Sequence, residues 1–146
     1  IRAAEPSIPR RAGTVDGAPF AFLCDADGLL APGIELLVPG GYALVPFHAL
    51  SRIDLAPPSS FIDVIWKPVK LTFLDGNAVE GRIPTLYAGS SRMGDTFSSG
   101  QMTASLGLSS GIMRGAGQRD LRVEDADGNV RLLGVRDVTT IVFEGP

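Results

Sequence analysis

The chain has 146 residues, 45% hydrophobic and 20% charged, with a formal net charge of −3. That length suits one domain that buries its own core, and the scattered arginines disfavour nucleic acid, whose binding rests on clustered phosphate contacts. A lone cysteine, Cys24, rules out an internal disulfide and fits a reducing compartment; with a lone histidine, His48, it cannot furnish a zinc shell.

Residues 1–12, opening "IRAAEPSIPRR", read as a linker or frayed end, which leaves 13–146 as a single β-rich domain. The first residue is Ile1 and not an initiator methionine, so the chain is expected to be trimmed, processed or cut from something longer. No signal peptide is visible. Eleven prolines and eighteen glycines favour short strands joined by turns. Helix is sparse, with a turn or two expected over Pro19 to Cys24 and again over Ser59 to Trp66. "GIELLVPGGYALVPF" predicts two apolar runs around a Pro-Gly-Gly turn, and its breaks at Pro39, Gly40, Gly41 and Pro46 leave it short of the ~20 residues of a membrane-spanning helix. "VKLTFLDGNAVEGRI" predicts a hairpin turning at Asp75-Gly76. "DLRVEDADGNVRLLGV" predicts another, and "SRIDL" and "TTIVFE" are short alternating strands.

One regularity exceeds hairpins. Tyr42 to Leu55 lies without gaps over Val130 to Phe143, an offset of 88 (130 minus 42). Leu44 falls on Leu132, Ile53 on Ile141, and a chain-bending residue, Pro46 or Gly134, at the same place. The pattern reads as strand, bend of about four residues, then a second strand beginning near Leu50 or Val138, either by duplication or by convergent patterning. The predicted fold class is therefore mainly β (α+β with little helix): a small twisted antiparallel sheet curling at two corners into a partly open β-barrel, with an internal strand-bend-strand repeat.

"DADG" occurs at Asp25 to Gly28 and at Asp125 to Gly128. An EF-hand needs oxygen at position 5, glycine at 6 and glutamate at 12. The first copy has Leu29, Leu30 and Leu36 there, and the second has Asn129, Val130 and Arg136. Both are expected to be turns, in which Asp bonds its own backbone and Gly supplies positive φ. "GLSSG" satisfies G-x-S-x-G with Ser109, but the elbow requires a following helix and a later histidine, whereas His48 comes earlier. "RGAGQRD" lacks the third glycine of a dinucleotide fingerprint, and no P-loop lysine is present. His48 is expected as a half-buried polar group, and Trp66 as core.

Several segments, in this order, resemble the C-terminal half of the ImpE/TagJ (SciE) family, accessory proteins of bacterial type VI secretion: "GTVDGAPFAFLCDADGLLAPGIE", "YALVPFHALSRIDLAPP", "DVIWKPVKL", "IPTLYAGS" and "RGAGQRDL". The resemblance covers about Gly13 to Phe143. Residues from about Arg92 to Ile112 depart from the family pattern, which leaves the Gly/Ser-rich segment 94–111 without a carried-over role. The resemblance implies a non-enzymatic bacterial cytoplasmic protein whose N-terminal helical-repeat half is not in this chain. It also implies association with the small sheath subunit (TssB) and the recycling ATPase ClpV, with no catalytic residues to carry over; the residue readings above add the expectation of no cofactor, no metal, no nucleic acid and no membrane insertion.

The leading expectation is a protein-interaction domain with Tyr87, Gln118 and Arg119 as surface contacts, although Gln118 and Arg119 equally suit tying a Gly-rich loop to nearby carbonyls. A serine hydrolase built on Ser109 and His48 is the enzymatic alternative. A structural spacer for a helical-repeat neighbour is the third.

Overall fold

The computed structural model describes residues 9–27, 30, 32–86, 103–107 and 113–145, as backbone alone over 103–107 and 113–117. The first strands are β1 (Gly13–Val15), β2 (Ala18–Phe20) and β3 (Phe22–Asp25). A hairpin of β4 (Gly33–Val38) and β5 (Gly41–Pro46) follows, then β6 (Leu50–Leu55) and the short helix α1 (Phe61–Ile65). Next come the hairpin β7 (Trp66–Phe73) and β8 (Ala78–Pro84), and the pair β9 (Thr103–Gly107) and β10 (Met113–Gly117). The last elements are the hairpin β11 (Asp120–Glu124) and β12 (Val130–Gly134), and β13 (Thr140–Phe143).

Strands pair in an eight-stranded sheet of order β2-β1-β13-β6-β7-β8-β4-β5, a three-stranded sheet β12-β11-β3 and the pair β10-β9. The fold is mainly β, as the strand patterning implies, and the three expected hairpins form. The sheets do not close into a barrel: in the large sheet β2 and β5 are the two edges. At Ala21 the chain changes sheets, ending β2 in one and starting β3 in the other. Side chains from both sheets then share one core, in which Ile53, Leu71 and Ile83 meet Leu23, Leu121 and Val123.

Pro19 to Cys24 is strand and not helix. Phe22, Leu23, Cys24 and Asp25 are all buried, and a short apolar run has no periodicity that separates a buried strand from a buried helix. The expected turn over Ser59 to Trp66 does form, as α1.

Both expected bends are single 3₁₀ turns, Phe47–Ala49 and Val135–Asp137. Pro46 enters the first at φ −67, ψ 137, and Gly134 enters the second at φ −66, ψ 132. Phe47 and its counterpart Val135 are both buried. The repeat goes further: β6 and β13 pair antiparallel with Ile53 opposite Ile141, the residues that the offset of 88 equates. A pseudo-twofold axis passes between them, relating β4-β5-β6 to β11-β12-β13.

Arg10 and Arg11, just before β1, contact the sheets. Arg10 lies 4.3 Å over the Phe22 ring and pairs with Glu124 at 3.2 Å, while Arg11 donates to the carbonyls of Phe47, His48, Leu50 and Glu144.

Candidate interaction groove

Alternation along β7 sends Lys67, Val69 and Leu71 into the core and Trp66, Pro68 and Lys70 to the outer face. The register carries that outer face sideways. Pro68 lies opposite Arg82 and Lys70 opposite Glu80 on β8; Lys70 also faces Asp54 on β6, which faces Thr140 on β13. Arg82 faces Leu37 of β4. These residues form an open groove of about 790 Å³. Its floor depends on Gly81, where a Cβ would stand 2.4 Å from the Leu37 carbonyl oxygen, so only glycine lets β4 and β8 approach this closely.

One wall is pinned by charge. Arg82 donates to Asp63 at 2.7 Å and to the Trp66 carbonyl at 2.8 Å, tying α1 to the sheet. The Asp63 carboxylate also accepts from the Ser59 N–H and hydroxyl. The Arg82 guanidinium, followed by these Ser59 bonds, holds that carboxyl well below the usual carboxylate range. Just before Trp66, α1 presents Phe61 and Ile62, which are 81% and 51% exposed. These exposed apolar side chains belong to the segment that leads directly into Trp66.

Trp66 is thus not a core residue: it is partly exposed and lines the groove. Its apolar neighbours in "DVIWKP" mislead, because Val64 and Ile65 belong to a short surface helix and neither is buried. The usable signal was the alternation in "WKPVK".

Arg119 is 1% exposed, which corrects its expected place on the surface. It pairs with Asp25 at 3.5 Å and with Glu35, and its backbone accepts from the Val135 N–H. Burying a guanidinium requires such carboxylates. Gln118 is half-buried and accepts from the Arg136 N–H at 3.3 Å, steadying the second 3₁₀ corner. Tyr87 and Ser109 lie outside the described residues. His48 is exposed rather than half-buried, and its carbonyl is bound by Arg11.

Both DADG segments begin as turns. In each, the first Asp accepts from the N–H two residues on, at 2.8 Å for Asp25 and 2.9 Å for Asp125. Only the second is a surface corner; Asp25 and Asp27 are buried. Among the described residues no cluster of His, Cys, Asp or Glu is placed to hold a metal ion, and no helix is long and apolar enough to cross a membrane.

The ImpE protein family model matches residues 17–139. The type VI secretion system accessory component TagJ of Pseudomonas aeruginosa is 37% identical over 140 residues, spanning 92% of this chain and 45% of that protein. The crystal structure of protein VPA1032 from Vibrio parahaemolyticus superposes with a TM-score of 0.86 at 20% identity, over 99% of this chain and 53% of that one, and bears on the fold alone. The chain spans about half the length of these relatives. The matched span and the identity to TagJ together bear out the resemblance read from the motif order: this chain belongs to the ImpE protein family.

Proposed function

We propose that this chain is the non-enzymatic protein-interaction domain of a type VI secretion accessory factor, working in the bacterial cytoplasm on the small sheath subunit TssB and the recycling ATPase ClpV. Family membership supports the system. The observation that carries the interaction reading is Trp66, partly exposed and lining the groove. Aromatic anchors on rigid strands dominate binding energy because they bury large area at small entropic cost. Tyr87 is the further proposed contact. Gln118 and Arg119 act on the framework instead, Gln118 holding the second 3₁₀ corner and Arg119 pairing with Glu35 of β4.

Capture of purified TssB and ClpV by the immobilised chain tests this, with Trp66→Ala and Phe61→Asp alongside. Retention of either partner by the wild type, and its loss in folded variants, supports the reading. Failure to retain either partner, or equal retention by both variants, overturns it.

A further inference from the structure

We infer that β5 is a self-pairing edge, through which two copies of this chain associate by antiparallel addition of β5 to β5 about Ala43. The inference is independent of the groove's partner. Among the described residues β5 pairs on one side only, with β4. Natural proteins guard such edges with charge, proline, bulges or shortness. This one runs six residues, Gly41–Pro46, without a charged side chain and in unbroken register with β4. Its one proline stands at the end. Tyr42 and Leu44 are 59% and 40% exposed on the outer face, and Tyr42 is fixed there by its hydroxyl, which donates to Glu35 at 2.8 Å.

Hairpin geometry says which backbone groups are open. The two-residue Pro39-Gly40 turn makes Val38 and Gly41 a hydrogen-bonded pair. Gly41, Ala43 and Val45 therefore direct their backbone groups to β4, and the Phe47 N–H, 2.9 Å from the Pro32 carbonyl, keeps that parity. Tyr42 and Leu44 direct theirs outward. An antiparallel second copy centred on Ala43 sets Tyr42 against Leu44 of that copy, and Leu44 against its Tyr42. Both are hydrogen-bonded pairs, each exchanging two bonds, and both are aromatic–aliphatic cross-strand contacts. The strand is its own complement, as a twofold interface requires.

The pseudo-equivalent edge β12 makes the contrast. Among the described residues it also has one neighbour, and it exposes the apolar Val130 and Leu132, yet Arg131 stands exposed between them. Charge guards that edge and not β5.

Sedimentation equilibrium of the 1–146 chain over a wide concentration range tests this. The mass should climb from 15.3 kDa towards twice that value. Ala43 is exposed and would meet itself across the twofold. Ala43→Lys and Ala43→Glu should therefore each weaken association about tenfold or more, and an equimolar mixture should restore it. Leu44→Pro removes a donor only from the open side and should give a folded monomer, checked by circular dichroism. A wild-type chain that stays monomeric throughout, as expected if β5 accepts only another protein's strand, overturns the inference. So does a dimer indifferent to Ala43→Lys, or assembly beyond a dimer that Arg131→Glu alters.

Discussion

Arg11 and Lys67 perform the same task at two equivalent corners. Arg11 Nη1 lies 3.3, 3.3 and 2.6 Å from the carbonyl oxygens of Phe47, His48 and Leu50. Lys67 Nζ lies 3.2, 2.9 and 2.9 Å from those of Val135, Arg136 and Val138, the residues 88 positions later. Each cation stands two residues before the position that opens the adjoining sheet ladder: Gly13 pairs with Phe143, and Val69 with Leu55, two residues after Arg11 and Lys67 respectively. In each 3₁₀ turn the first carbonyl accepts the N–H three residues on, Leu50 to Phe47 and Val138 to Val135, and the cation adds a donor shared with the carbonyls that follow.

The two caps differ in burial, which sets the first prediction. Lys67 is 4% exposed, and desolvation lowers its pKa despite Asp137 and Asp16 nearby. Lys67→Met should take the ammonium donor from three carbonyls at a buried corner and cost roughly 2–4 kcal/mol in urea unfolding. Arg11→Met, at a corner that water reaches, should cost less than half as much. Equal costs would show that burial does not set the value of the cap.

Much of this fold was legible. Asp75-Gly76, Pro39-Gly40 and Asp125 to Gly128 mark hairpins because their turn chemistry is local, and the matched bends at Pro46 and Gly134 could be read by aligning one half on the other. What brings Arg11 to Phe47, or Lys67 to Val138, is tertiary: nothing near either cation announces its acceptors. The same limit misplaced Arg119, which looks like a surface arginine until Asp25 and Glu35 arrive from other strands. It also separates the two DADG segments, identical in sequence, one closing an exposed hairpin and the other sealed at the end of β3.

Asp63 predicts a pH response. Its folded pKa lies below the ordinary 3.8 because Arg82 and then Ser59 favour the ionised form. The ionised group therefore stabilises the fold above 3.8, and that contribution is lost as pH falls through the folded value. Urea midpoints measured from about pH 5 down to about pH 2 should fall more steeply for the wild type than for Asp63→Asn. Parallel profiles would remove Asp63 from the acid limb.

Gly81 predicts a steric one. The Cβ of Gly81→Ala would sit 2.4 Å from the Leu37 oxygen and 2.8 Å from Leu36 Cδ1. The backbone oxygen cannot swing aside, so β8 must part from β4 at the Leu37–Arg82 contact. A loss of about 1–3 kcal/mol in denaturant unfolding is expected, together with faster exchange of β4 amides than of β6 amides. Unchanged stability would mean that the two strands are farther apart in solution.

Trp66 separates binding from stability. A core side chain such as Ile53, fully buried against Leu71 and Ile141, should cost about 2–5 kcal/mol when cut to alanine. Trp66 is only partly buried and lines an open groove, so Trp66→Ala leaves no sealed cavity, and about 1–2 kcal/mol is expected. Its partner binding should fall at least tenfold, as for a central anchor. Melting temperature and partner titration, measured on Ile53→Ala and Trp66→Ala together, check both halves. If Trp66→Ala melts as low as Ile53→Ala and still binds when folded, the tryptophan is a structural residue and the groove has lost its anchor.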